Sequence, residues 1–271
     1  MEIAMPHLRL TSFPSLAALA IAALAAWSCN ADDRLVRLVS LDWQPYAGAT
    51  LPEQGAAAAV VKAAFAAAGQ SVDVDFYPWA RAVHLAESAN EYDGIFPVYY
   101  SAARARWLNC SSAIGRSPLG FAERRAAPVA WSKLADLEAY KIGIVRDYVN
   151  TEAFDGRVAA GRIRVDVVGS DTQNLQKLAH GRIDLAVIDR NVMEQLLKRP
   201  ALQSAPELAG LQFNRRVLEN QDIFICFKRN AAGDRLAAAF AAGMRKIDAE
   251  AISARYLRDL ANAAGATMLR R

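Results

Sequence analysis

From Leu35 onward, short apolar runs alternate with stretches whose apolar positions recur at helical spacing. Leu35–Leu41 predicts a strand, Ala56–Ala68 an alanine-rich helix stopped by Gly69, and Val72–Phe76 a second strand. Trp79–Ala89, entered through Pro78, reads as a helix and Gly94–Val98 as a third strand, which completes two β-α-β units near residue 100. A second series begins at Lys141, with strands at Lys141–Val145, Arg164–Val168 and Asp184–Ile188 and helices at Thr151–Ala160, Thr172–His180 and Val192–Arg199. Ser170 or Asp171 caps the middle helix and Gly181 ends it. Such alternation predicts an α/β protein with parallel sheet, and the long extended segment between the series predicts two lobes.

The remaining pattern adds a strand at Gln221–Phe227 and a helix over Asp234–Leu260, without a third unit to house them. The economical solution returns them to the first lobe. Residues 32–124 plus 219–271 then form lobe 1 and residues 125–218 form lobe 2, with crossings near Leu119–Arg125 and Phe213–Glu219. A hinge of two strands permits closure around a ligand. There is no internal repeat and no low-complexity linker.

The N-terminus departs from this pattern. Ser15–Trp27 is an apolar run preceded by Arg9 and followed by Ser28-Cys29-Asn30-Ala31, the layout of a secretory signal peptide over residues 1–31. It falls short of the roughly 20 apolar residues that a membrane span needs. The expectation is a periplasmic mature chain that begins near Asp32 and has no membrane span. Cys29 as a lipid-carrying residue is the rival reading, which the bulk of Trp27 disfavours. Initiation at Met5 instead of Met1 would drop Glu2 and leave a purely basic leader start.

About 240 residues remain beyond the leader, enough for two lobes. The net charge of +4 is mild and the basic residues are scattered, which excludes the basic stripe that nucleic acid requires. Cys110 and Cys226 fit no zinc or redox spacing; an oxidising compartment allows them to pair, but spacing alone does not decide it. His84 and His180 lie far apart, so neither a metal site nor a histidine triad is expected. No Gly-x-Gly-x-x-Gly, P-loop or Gly-x-Ser-x-Gly is present, and Gly115–Gly120 lacks the lysine of a phosphate loop. The composition therefore predicts no cofactor, no metal and no catalysis.

Several short segments, in order, resemble the polar amino-acid family (family 3) of bacterial extracellular solute-binding proteins, the receptors of ABC importers. They are Trp43-Gln44-Pro45-Tyr46, Asp93-Gly94-Ile95-Phe96-Pro97, Ser101-Ala102-Ala103-Arg104, Ser111–Gly115, and Gly181-Arg182-Ile183-Asp184 followed by Asp189. The resemblance implies a type II periplasmic-binding-protein fold, two α/β lobes joined by a two-strand hinge with the cleft between them. It further implies a monomer that takes a small polar, amino-acid-like or carboxylate-bearing ligand and meets an ABC permease. By position Arg104 grips the ligand's carboxylate and Asp189 faces it across the cleft to pair with an ammonium, unless Asp189 serves as a helix cap. Tyr46 and Trp43 stand where the family places an aromatic lid, with core packing the alternative for Trp43.

The departures are informative. The family's small hydroxyl residues on the third strand become Phe96, Pro97, Tyr99 and Tyr100, and its Gly-Thr turn becomes Arg146-Asp147-Tyr148. Phe96, Tyr99 and Arg146 thus join the candidate ligand contacts, and Arg81 of Pro78-Trp79-Ala80-Arg81 is a second anion contact or a surface arginine. The bulkier pocket puts an ordinary free amino acid in doubt. A periplasmic dehydratase of the cyclohexadienyl or arogenate type, with Glu152, Asp147 or Asp171 as its acid, and a ligand-sensing module are the alternative functions.

Overall fold

The structure is a computed structural model that describes residues 35–268; the expected signal peptide and Cys29 lie outside the described residues. Strand β1 (Val36–Ser40) pairs in parallel with β2 (Val72–Phe76) on one side and β3 (Gly94–Tyr99) on the other. The connections are α1 (Ala56–Ala67) and α2 (Trp79–Ser88). Alanine is the strongest helix former and the smallest side chain that keeps a Cβ, so α1 both forms readily and lets neighbours approach closely. Its positions Ala56 to Val61, Ala64 and Phe65 are buried.

Two ten-residue strands, β5 (Gly115–Arg124) and β10 (Glu219–Lys228), run through both halves of the sheet. Their first halves pair antiparallel with each other, Gly115 opposite Ile223 and Leu119 opposite Glu219. Beyond that ladder they part. β10 continues along β3 and β4 (Leu108–Cys110), while β5 continues along β8 (Leu185–Asp189) and β9 (Leu211–Phe213). The second half is completed by β6 (Lys141–Val145), parallel to β7 (Arg164–Val168) and to β8. The path of the sheet is β2-β1-β3-β10-β5-β8-β6-β7.

Helices α3 (Glu152–Ala159), α4 (Asp171–Ala179), α5 (Arg190–Leu197) and the short α6 (Pro200–Gln203) belong to the second half. The last two, α7 (Ala231–Met244) and α8 (Ala249–Met268), follow β10. A single helix was expected over Asp234–Leu260. It is divided because Asp248 accepts the backbone N–H of Ala251 at 2.9 Å, capping a new helix, a signal masked by apolar periodicity that runs on across the break. Ser111 to Ile114 links two strands: β4 ends at Cys110 and β5 starts at Gly115.

Each half has an aromatic centre. Phe65, Phe227 and Phe240 meet at 5.2 to 6.1 Å in the first, and Phe121 meets Trp131 at 5.6 Å and Phe154 at 6.1 Å in the second. Cys110 and Cys226 are cross-strand partners on β4 and β10 and form a disulfide. No described helix is long and apolar enough to cross a membrane.

Candidate ligand-binding cleft

Loops at the carboxyl ends of the parallel strands converge from both halves, which is where open α/β sheets bind ligands. The first half contributes the loop after β1, Trp79 at the start of α2, the end of β3 and the single turn Arg104–Arg106. The second contributes the turn after β6 and the start of α4. Between them lies a small cavity of about 30 Å³ walled by Trp43, Trp79, Tyr99 and Tyr148, with Arg104 at its edge. Trp79 and Tyr148 also wall a wider cleft of about 410 Å³, which continues past Asp42, Ser170, Asp171 and Arg199.

Arg104 spans the halves. Its backbone N–H donates to Ser101 Oγ at 3.2 Å, fixing the turn, and its guanidinium stands 5.2 Å from the Trp79 ring. Arg104 Nη2 donates to the Asp147 carbonyl at 2.5 Å and Trp79 Nε1 donates to the same oxygen at 2.9 Å. Asp147 adopts φ +62°, the left-handed region that Asp tolerates better than most residues. Burial lowers the Arg104 pKa to about 10, so the group remains a cation at neutral pH.

A buried chain of hydroxyls also joins the halves. Tyr99 bonds to Ser117, whose Oγ donates to Asp189 Oδ2 at 2.5 Å. Tyr46 OH donates to the same carboxylate oxygen at 3.1 Å and accepts from Asn191 Nδ2 at 2.7 Å. Asp189 Oδ1 caps α5 by accepting from Val192 N at 2.8 Å. Burial pushes the Asp189 pKa up to about 6, against the hydrogen bonds from Ser117, Val192 and Tyr46, which favour the ionised form. Asp171 is the other buried carboxyl here. Tyr148 OH donates to its Oδ2 at 3.2 Å, and burial raises its pKa to about 7.

The structure brings Trp43, Tyr99 and Arg104 to the small cavity. Tyr46 lies behind them, 1% exposed, its hydroxyl committed to Asp189. Four expected contacts lie elsewhere. Asp189 lines neither cavity and does not face Arg104 there: at 1% exposure it is enclosed by its own donors and works as helix cap and network centre. Phe96 is fully buried in the core, because β3 alternates its faces and sends Pro97 and Tyr99 to the cavity. Arg81 is exposed with its guanidinium 4.9 Å from the Tyr77 ring; two residues beyond Trp79 on a helix it cannot share that residue's face. Arg146 is exposed too, and its turn serves the cavity through the Asp147 carbonyl instead.

Trp79, Tyr148 and Ser117 are site residues that the sequence does not single out. Trp79 and Tyr148 stood within segments singled out for their arginines, and an aromatic beside each arginine was the available signal. Asp171 reads in the sequence only as a helix cap or an acid. For Ser117 the sequence carries no signal. Among the described residues no cluster of three or more His, Cys, Asp or Glu side chains could hold a metal ion.

No protein-family model and no curated protein matches this sequence. Solved structures do match. A histidine kinase sensor domain with similarity to periplasmic binding proteins superposes with a TM-score of 0.70 at 21% identity, over 83% of this chain and 97% of that one. An ancestral arginine-binding protein bound to arginine gives 0.67 at 13% identity, over 84% and 98%. A double mutant of the BvgS VFT2 domain from Bordetella pertussis gives 0.66 at 18% identity, over 91% and 99%. At these identities the likeness establishes architecture: the chain has the two-lobed, type II periplasmic-binding-protein fold.

Proposed function

We propose that this chain is an exported ligand-binding receptor that closes its two lobes around a small, carboxylate-bearing polar molecule, delivers it to an ABC permease and catalyses nothing. The observation that carries this reading is the bridge from Arg104 to the Asp147 carbonyl inside an aromatic-walled cavity. A guanidinium presents a planar fork of donors, and a carboxylate offers it two charge-assisted bonds where a single carbonyl offers one acceptor. The ring faces of Trp43, Trp79 and Tyr99 suit the apolar body of such a ligand. Arginine-bound relatives of the fold, among them an amino-acid ABC transporter substrate-binding protein from Streptococcus pneumoniae, are in keeping with an amino-acid-like ligand.

A sensory role for the same cleft is the second reading. It draws on the histidine kinase sensor domain with similarity to periplasmic binding proteins, which shares this fold at 21% identity. Capture of ligand is common to both roles. Mass spectrometry of the small molecules released on denaturing the purified protein identifies the ligand, and prolonged incubation with excess ligand then separates receptor from enzyme. A receptor returns a carboxylate-bearing molecule unchanged. Conversion to a dehydrated product would establish a dehydratase, and release of a purely cationic or neutral molecule would overturn the role given to Arg104.

A further inference from the structure

The wider cleft contains a buried carboxyl whose charge, when ionised, the chain does not balance with a cation. Of its two carboxylates, Asp42 is paired with Arg199 at 2.8 Å. Asp171 is 8% exposed, lines the same cleft, and accepts one hydrogen bond, from the Tyr148 hydroxyl. No cationic side chain pairs with it among the described residues. A first-turn acid on a helix is ordinary when solvated, because the helix N-terminus favours negative charge. A buried carboxylate without a cation is costly, and the cost is recovered when a cation arrives.

The surroundings are suited to that cation. Tyr77, Trp79 and Tyr148 line the cleft, the first two already holding Arg81 and Arg104 against their rings and Tyr148 with no cation stacked on it among the described residues, and the hydroxyl residues Ser170 and Thr172 flank the carboxylate. Asp189, the acid expected to hold an ammonium, has its oxygens engaged by Ser117, Tyr46 and Val192. Trp79 and Tyr148 form the common wall between this cleft and the cavity at Arg104.

We propose that the Asp171 side of the cleft is a cation subsite, and that the ligand carries an ammonium or guanidinium group on one side of Tyr148 and its anionic group at Arg104 on the other. The inference rests on reading the cavity at Arg104 as part of the ligand site. The charge that receives the cation is thereby displaced from the end of β8 to the first turn of α4. Burial and the neighbouring charge of Asp189 both hold the Asp171 carboxyl above the usual carboxylate range, as an acid awaiting a counter-ion would be.

Three probes with one six-carbon skeleton test this: aminohexanoate with both charges, hexylammonium with the cation alone, and hexanoate with the anion alone. Each is titrated at constant ionic strength into native, Asp171→Asn and Arg104→Ala protein, with backbone amide shifts as the readout and as the check on folding. Asn keeps an acceptor for Tyr148, and Asp171→Ser provides a second uncharged variant. The expected result is that removing the Asp171 charge weakens hexylammonium and aminohexanoate by at least about tenfold and leaves hexanoate within about twofold. Equal binding of hexylammonium by the native protein and both uncharged variants, or no binding of it by the native protein, would overturn the cation subsite. Equal binding of hexanoate by native and Arg104→Ala protein would overturn the anion site instead.

Discussion

Asp171 and Asp189 are both buried carboxyls, but their partners differ in kind. Asp189 accepts hydrogen bonds from Ser117, Tyr46 and the backbone at the start of α5, whereas Asp171 accepts one from Tyr148 and lines the cleft. The difference has a consequence for stability. Asp171 rises from an ordinary 3.8 to about 7 on folding, so its contribution is fully present below about pH 4 and is lost as pH rises through about 7. Asp189, raised to about 6, acts in the same direction. The ligand-free native protein is therefore expected to lose thermal stability between about pH 4 and pH 7, and Asp171→Asn to lose less of it. Melting temperatures of both proteins across that window decide the matter, and parallel pH profiles would show that Asp171 does not carry the effect. At this scale the sequence was legible where a residue type has one strong use, as with Arg104 in Ser-Ala-Ala-Arg. It was illegible where the role depends on an enclosure built by distant residues: nothing at position 171 announces that Tyr148 will cover it, and nothing at 117 announces a hydroxyl relay.

At the scale of elements, the alternation of apolar runs exposed the strands because each strand's composition is local, and β2, β6 and β7 have the bounds that the pattern predicts. Helix breaks and hinge strands were harder. The division between α7 and α8 depends on one capping aspartate, and the length of β5 depends on changing partners midway, which no periodicity encodes. Packing between helices also contains a test of competing effects. Gly243 of α7 approaches α1 so closely that a Cβ would collide with the Ala64 carbonyl. Helix propensity alone predicts that Gly243→Ala stabilises by about 1 kcal/mol, but overpacking costs roughly 1 to 3 kcal/mol where backbone cannot yield. We expect the collision to prevail and the urea midpoint to fall; a higher midpoint would mean that the two helices slide apart cheaply.

The whole molecule is held by long connections. The Cys110–Cys226 disulfide joins strands 116 residues apart in sequence and ties β4 to the returning strand β10. Closing so long a loop restricts the unfolded chain, and Cys110→Ser with Cys226→Ser is expected to cost about 2 to 5 kcal/mol by denaturant unfolding. Unchanged stability would show that the pair acts on neither state. The halves also meet through Tyr46 with Asp189, Arg104 with Asp147, and Arg199 with Asp42. In the proposed function Arg104 exchanges its carbonyl partner for the anionic group of a ligand. Calorimetric titration of the molecule released from the native protein into native and Arg104→Ala protein tests it most directly. Loss of two charge-assisted bonds, each worth roughly 1.5 to 3 kcal/mol, predicts affinity weakened by about a hundredfold or more. Equal affinity for the two proteins would remove Arg104 from the ligand site.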